Sequence, residues 1–131
     1  MQKKVAIKNA LISVFYKDGL DEIVRELHRS GVVMYSTGGT ASYIEALGLP
    51  VEKIEQLTDY PSILGGRVKT LHPKVFGGIL ARRSLQEDVA QMESYALPSF
   101  DLVMVDLYPF TETLRQTSDE AAIIEKIDIG G

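Results

Sequence analysis

The chain has 131 residues, of which 45% are hydrophobic, and its formal net charge is −4. This length suits one domain with a real core, and the ordinary hydrophobic fraction argues against disorder. The acidic balance argues against a nucleic-acid binder that relies on neutralising phosphates, and the absence of cysteine excludes disulfides and a thiolate nucleophile or metal ligand. No apolar run approaches the roughly 20 residues of a membrane span, and no signal-peptide core follows the N-terminus, so we expect a cytoplasmic protein.

Apolar runs alternate with amphipathic ones along the chain. Buried strands are predicted at residues 10–14 and 102–105, the last being the most convincing, and further strands at 32–35 and, more weakly, at 51–54. Helical spacing is found at residues 20–27, 41–47 and 89–96, and a last helix is predicted to begin near 118. This alternation predicts a three-layer α/β domain, with a mainly parallel sheet and helices on both faces. Residues 57–81 are rich in glycine and proline without a clean period, and so long a connection in a compact domain is expected to be functional.

The first candidate site is the loop Ser36-Thr37-Gly38-Gly39-Thr40, which lies between the second predicted strand and a helix. Its two glycines let backbone N–H groups approach an anion, its three hydroxyls add donors, and the helix N-terminus adds its dipole. The pattern predicts a phosphate cradle, although a tight turn with a threonine cap would give the same letters. It is not a Walker loop, because the required Gly-Lys-Ser/Thr is absent.

A second candidate is a basic segment. Residues 60–86 contain no acidic residue but five cations: Arg67, Lys69, Lys74, Arg82 and Arg83. One interpretation is a solvated basic face, and the other is a local positive field that attracts a small anion. In an extended stretch Arg67 and Lys69 would project to the same side. His72 alone is more typical of a structural role, and His28 and His72 are too few for a metal site without a carboxylate cluster.

Two further candidates lie at segment ends. Asp106 and Tyr108 follow the strongest predicted strand, where ligands bind in an open parallel sheet. Asp128 is flanked by two isoleucines, so its protonation would be tuned by its neighbours if it is partly buried. The alternatives are an interfacial aromatic ring for Tyr108 and an exposed terminal acid for Asp128.

Four segments, in this order and spacing, resemble one known family: STGGT at 36–40, LGGRVKTLHPKVFGGILARR at 64–83, DLYPF at 106–110 and IDIGG at 127–131. They look like the inosine monophosphate (IMP) cyclohydrolase domain at the N-terminus of the bifunctional purine-biosynthesis enzyme. The resemblance covers residues 10–131 and implies a methylglyoxal-synthase-like α/β fold. It also implies closure of the purine ring of a formamidoimidazole carboxamide ribonucleotide with loss of water, and no metal or cofactor. Folate-dependent formyl transfer belongs to a separate C-terminal domain.

The resemblance also implies roles for individual residues. The catalytic positions of the family correspond to Lys69, Tyr108 and Asp128. The substrate-binding positions correspond to Ser13, Lys17, Ser36, Thr37, Gly38, Gly39, Thr40, Arg67, Thr70, Asp106, Ile129 and Gly130. The loop at 36–40 would hold the 5′-phosphate, while residues 67, 69 and 70 would face the base and ribose. The implied partners are a purine-pathway ribonucleotide and a second copy of the chain in a homodimer, with no nucleic acid and no membrane.

These residue types suit the reaction, because a carboxamide nitrogen is a poor nucleophile and a formamide carbon a poor electrophile. Ring closure needs a donor aimed at the formyl oxygen and an acceptor for the proton of the attacking nitrogen. Lys69 can supply positive charge and donors, while Tyr108 and Asp128 can relay protons. Holding two groups of one substrate in a near-attack geometry should supply much of the rate.

The chain departs from the family at three places. Many members read SVSDKTGL where residues 13–20 read SVFYKDGL, so a polar pair has become Phe15-Tyr16. Asp106 stands where an asparagine is common, and a carboxylate cannot donate as an amide can. The family also continues beyond the position of Gly131 into a helix with a further active-site lysine and then a transferase domain. Residues 1–131 are therefore interpreted as a cyclohydrolase domain shortened at its C-terminus, without a formyltransferase domain.

Two other functions are compatible with the sequence. A methylglyoxal-synthase-like regulatory or lyase domain would share the fold and the phosphate loop. A lyase acting on a triose phosphate should use a carboxylate base and a histidine near that loop, whereas here the nearest acid in sequence is Glu45 and the next histidine is His72. The second alternative is a nonenzymatic ligand-sensing module, which would bind a nucleotide without turnover.

Overall fold

The centre of the fold is a four-stranded sheet. The computed structural model describes residues 5–61, 63–64, 69–107 and 109–125. The strands are β1 (Asn9–Ser13), β2 (Val33–Ser36), β3 (Glu52–Lys53) and β4 (Leu102–Val105), in the order β3-β2-β1-β4. All three recorded pairings are parallel. The carboxyl ends of the strands therefore lie at one edge of the sheet, which is where ligands bind in this architecture.

Seven helices surround this sheet in the described part of the chain. They are α1 (Leu20–Arg29), α2 (Gly38–Ala46), α3 (Ile54–Thr58), α4 (Pro73–Leu80), α5 (Gln86–Ser94), α6 (Phe110–Gln116) and α7 (Glu120–Glu125). None of the described helices combines the length and apolarity of a membrane span.

The two faces of the sheet carry separate apolar clusters. On one face Ala10, Ile12 and Met34 pack with Leu20 and Val24 of α1 and with Ile44 of α2. On the other face Leu11 packs with Ile54 of α3, Val75 of α4 and Phe100. Alternate residues of β1 thus feed both clusters, as the pleat requires. This arrangement confirms the predicted parallel α/β architecture with helices on both faces.

Strand β4 differs from its prediction as the most convincing buried strand. Leu102 and Met104 are half-buried against the first cluster, but Val103 and Val105 are 39% and 49% exposed. The reason is position, because β4 is the last strand of the order and the described helices leave much of this side of it uncovered. The apolar run at 102–105 therefore predicted more burial than the strand has.

The segment at 57–81 contains more regular structure than its composition indicates. Helix α4 begins at Pro73, whose fixed φ suits a first helical position, and His72 caps it by accepting the N–H of Lys74 at Nδ1, 3.0 Å away. Residue Gly78 lets this helix approach the chain before β4, since a Cβ there would lie 2.4 Å from the carbonyl oxygen of Pro98. His72 is thus a capping residue, in agreement with the structural interpretation.

Candidate functional site

The loop at 36–40 turns from β2 directly into α2. Thr37 is extended, with φ −145°, and Gly38 adopts a left-handed φ of +56° as the helix begins. The first hydrogen bond recorded for the helix runs from the N–H of Ala41 to the carbonyl of Thr37, at 3.3 Å. The N–H groups of Gly38, Gly39 and Thr40 have no acceptor within the described residues, so they remain available to an anion at the positive end of the helix dipole.

The three hydroxyls of this loop have partners inside the protein. The buried hydroxyl of Ser36 donates to the carbonyl of Ile12, 2.5 Å away. Thr40 Oγ1 donates to the carbonyl of Val14 at 2.9 Å and accepts its N–H at 3.1 Å. The hydroxyl of Thr37 donates to the carboxylate of Glu55. The hydroxyls therefore fasten the loop to β1 and α3, which leaves the backbone N–H groups as its free donors.

Lys69 comes from the basic segment and reaches the same helix end. Its Nζ lies 3.2 Å from the place that a Cβ on Gly38 would occupy. The side chain is half-buried. The structure thus brings together a helix N-terminus and an ammonium group that the sequence placed about 30 residues apart. Both favour negative charge at one point.

Asp106 and Lys17 meet at the neighbouring loop between β1 and α1. The carboxylate of Asp106 accepts the N–H of Phe15 at 2.6 Å and that of Tyr16 at 3.0 Å. The ammonium of Lys17 donates to the carbonyls of Val14 and Phe15, the second at 3.0 Å. Burial lowers the pKa of Lys17, and the nearby charge of Asp106 opposes this shift. Asp106 therefore acts here as an acceptor with both carboxylate oxygens. An asparagine would offer only one acceptor oxygen.

Tyr16 and Glu112 form a contact that sequence reasoning missed. The phenol of Tyr16 donates to Glu112 Oε2 at 2.6 Å and ties the β1–α1 loop to α6. This hydrogen bond is the main cause that raises the pKa of Tyr16. The only signal in the sequence was the tyrosine itself, at a position where the resembling family has a polar residue.

Two cations of the basic segment do not face the site. Arg82 forms two hydrogen bonds with the carboxylate of Asp88, both at 3.0 Å. Arg83 reaches Asp101 at 2.5 Å, next to the start of β4. The segment lacks acids of its own, but the fold supplies them from the residues that follow. These two arginines are paired with acids of the protein, so they do not contribute to the predicted anion-attracting field.

The remaining predicted site residues divide into two groups. Ser13 ends β1 at the carboxyl edge of the sheet, and the carbonyl of Thr70 accepts the N–H of His72 at 2.8 Å. The other group lies outside the described residues, so its roles stay predictions: Arg67, Tyr108, Asp128, Ile129 and Gly130. Among the described residues no group of three or more histidine, aspartate or glutamate side chains is arranged to hold a metal ion.

Comparison with known proteins gives related chains. Residues 19–131 match the family model described as MGS-like domain. A bifunctional purine biosynthesis protein PurH from Bacteroides thetaiotaomicron is 60% identical over all 131 residues, which make up 26% of that protein. The protein of the same name from Corynebacterium glutamicum is 50% identical over 96% of this chain and 24% of its own length. The chain thus spans about a quarter of these curated relatives.

A solved structure is also similar. The crystal structure of ForH superposes with a TM-score of 0.80 at 35% sequence identity, covering 95% of this chain and 62% of that one. The structural and the sequence comparison therefore point the same way. Since the family model matches most of its length, this chain belongs to the MGS-like domain family.

Proposed function

We propose that this chain is an IMP cyclohydrolase domain, which closes the purine ring of a formamidoimidazole carboxamide ribonucleotide. The observation that carries the proposal is the position of Lys69, whose ammonium stands over Gly38 at the N-terminus of α2. A binding site for a phosphate monoester and a cationic donor are thereby adjacent. The names of the relatives, which are purine biosynthesis proteins, support the same chemistry.

The substrate would be anchored through its 5′-phosphate. The free N–H groups at the start of α2 can cradle phosphate oxygens, and the charge of Lys17 favours a dianion there. The imidazole ring would then extend along the carboxyl edge of the sheet toward the end of β4. This placement uses the same edge that binds ligands in other open parallel sheets.

Ring closure forms one C–N bond and releases water. The carboxamide nitrogen bonds to the formyl carbon. The formyl oxygen leaves as water, taking one proton from the attacking nitrogen and one from the formamide nitrogen. Lys69 would stabilise the developing charge on that oxygen. The resemblance assigns the proton relay to Tyr108 and Asp128, and much of the rate would come from holding both groups of one substrate together.

The experiment uses a chimera in which this chain replaces the matching residues of the Bacteroides relative. Turnover of the formamido ribonucleotide is followed by purine absorbance. Lys69→Ala should lower kcat by about 10²- to 10⁴-fold, the range for a catalytic acid or oxyanion donor. Lys8→Ala is the matched control, since Lys8 is an exposed lysine at the opposite end of the sheet.

Circular dichroism of each variant checks that the fold persists. Full turnover by the Lys69→Ala chimera would refute the assignment of Lys69. A wild-type chimera that binds IMP without turnover would instead support a ligand-sensing module of the same fold.

A further inference from the structure

We propose that Asp106 is a positioning residue, which fixes the ammonium of Lys17 at the ligand edge through two intervening peptide groups. The geometry stands without any assumption about the reaction. Its consequence for nucleotide binding rests on the proposed function. The resemblance placed Asp106 against the substrate, whereas the structure shows it engaged with the protein backbone.

The two peptide groups concerned are Val14–Phe15 and Phe15–Tyr16. In both, the N–H donates to the carboxylate of Asp106 and the carbonyl accepts from Lys17 Nζ. The N–H and C=O of a trans peptide point in opposite directions. Because the carboxylate binds the N–H groups on one side of these peptides, the carbonyls face the other side. There they accept hydrogen bonds from the ammonium of Lys17.

Hydrogen bonds in such a chain strengthen one another. A charged acceptor on an N–H polarises the peptide, so its carbonyl becomes a better acceptor for the ammonium. Asp106 and Lys17 thus bind opposite faces of the same two peptides. Loss of the carboxylate would therefore weaken the hydrogen bonds from Lys17 to the two loop carbonyls, even though the two side chains do not hydrogen-bond each other.

The charge of Asp106 also acts on Lys17 through space. Burial alone disfavours the charged amine and lowers its pKa, and Asp106 is the acid that counteracts this effect. Asp18 is the adjacent acid on the same loop, is exposed, and has no hydrogen bond to Lys17. Asp106 therefore favours the charged form of a half-buried ammonium at the position where an anion would arrive.

Lys17 retains capacity for a ligand in this arrangement. An ammonium has three donors, and the carbonyls of Val14 and Phe15 use two of them. Thr40 also holds the peptide groups of Val14, so the loop is fastened to α2 as well. The third donor of Lys17 is thereby presented from a loop that is held on both sides.

The first test needs no turnover. In the 131-residue chain labelled at lysine, NMR follows the Lys17 Cε resonance against pH. Asp106→Asn should lower the pKa of Lys17, because the neighbouring charge is lost, and should shift the amide signals of Phe15 and Tyr16. Asp18→Asn, the matched control, should change neither. An unchanged Lys17 in Asp106→Asn would overturn the proposal.

Lys17→Met provides an arm that does not depend on the folding of Asp106→Asn. It removes the carbonyl side of the arrangement, so the amide signals of Phe15 and Tyr16 should move while those of the control variant Asp18→Asn stay. If these amides do not respond to Lys17→Met, the two peptides do not couple the side chains and the proposal fails.

The second test is a double-mutant cycle on IMP affinity in the chimera. Asp106→Asn and Lys17→Met should each weaken binding by about tenfold or more, and the double variant should be little worse than Lys17→Met alone. Additive losses would show that Asp106 contacts the ligand directly and would overturn the positioning role. A chimera that does not bind IMP would refute the proposed function, while the NMR result would still decide the role of Asp106.

Discussion

The two ends of β1 are held by the same device, yet they serve different purposes. At the amino end, Asp101 accepts the N–H groups of Lys8 and Asn9 at 2.7 and 3.0 Å. At the carboxyl end, Asp106 accepts those of Phe15 and Tyr16. Both aspartates flank β4, so at each end of the β1–β4 pair a carboxylate accepts two consecutive amides.

What differs is the partner of each charge. The side chain of Asp101 is 7% exposed and forms an ion pair with Arg83, so its charge is compensated within the protein. Asp106 instead faces Lys17 across two peptide groups, and Lys17 keeps a donor for a ligand. The comparison teaches that an aspartate on paired amides stabilises the fold at one end, whereas at the other it prepares a charge for binding.

The largest effect on stability is expected from Asp101→Ala. This change leaves two amides and a partly exposed guanidinium without their acceptor, and each donor left unsatisfied costs about 1–3 kcal/mol. Urea unfolding measures the loss. Asp106→Ala, at the other end, should cost clearly less stability but more nucleotide affinity. Equal losses of stability would remove the distinction between the two ends.

Gly78→Ala probes the packing next to the amino end of β1. The new Cβ would lie 2.4 Å from the carbonyl oxygen of Pro98 and 2.8 Å from the ring of Phe100, so α4 must shift. Overpacking of this kind costs about 1–3 kcal/mol, measured by thermal unfolding. Gly39→Ala is the stability control, since a Cβ there meets nothing within 4 Å. If the two variants unfold at the same temperature, the close approach of α4 is refuted.

Gly38→Ala should act at the carboxyl ends of the strands, mainly on binding. Its left-handed φ of +56° costs an alanine about 1 kcal/mol, and its Cβ would lie 3.2 Å from the ammonium of Lys69. IMP affinity, measured by calorimetry in the chimera, should fall about tenfold, or 1.4 kcal/mol. Gly31→Ala has a similar φ of +78° but no neighbour. It should lose stability alone, and matching affinity losses would contradict a role for Lys69.

Acid should weaken the amino end of β1, where Asp101 lies. Burial acts to raise the pKa of Asp101, but the amides of Lys8 and Asn9 and the charge of Arg83 outweigh it and lower the pKa overall. Asp101 therefore stabilises the fold above its unfolded pKa of about 3.8, and this contribution is lost as the pH falls through the lower folded value. Unfolding free energy measured from pH 5 to pH 2 should decline less in Asp101→Asn than in the wild type. A parallel decline would exclude Asp101 as a source of acid sensitivity.

The smallest effect is expected from Tyr16→Phe, near the carboxyl end of β1. It removes an exposed hydrogen bond to Glu112, so the loss of stability should be small. The sharper readout is spectroscopic. The same bond raises the pKa of Tyr16, so Glu112→Gln should bring the NMR-detected titration of its ring carbon back toward 10.0. A titration that does not move would mean that Glu112 is not the partner.

Local patterns predicted much of the fold. The strands at β1 and β2, the amphipathic helix α1 and the glycine-rich start of α2 are all set by nearby residues, and the structure confirms them. No helical period was recognisable in residues 57–81, where tertiary packing decides the structure. Helix α4 is short and glycine-containing, and it is stabilised by the capping of His72 and by packing against the chain before β4.

Long-range contacts explain what the sequence did not reveal about the site. The bonds from Asp101 and Asp106 to the flanks of β1 join residues more than 89 positions apart. The acids that pair with Arg82 and Arg83 likewise lie outside the basic segment. No local spacing encodes such partners. They follow from parallel strand order, which places the flanks of β4 beside those of β1.

The internal partners of Ser36, Thr37 and Thr40 affect how the loop motif can be used for recognition of relatives. Their hydroxyls hold β2 to β1 and α3, so the serine and threonines of STGGT indicate how the loop folds. A substitution at these positions would therefore first lower expression or solubility. Backbone N–H groups are present in almost every residue type, so the sequence motif does not reveal them. The part of the motif that is informative about a bound phosphate is therefore Gly38, whose missing side chain leaves room for Lys69.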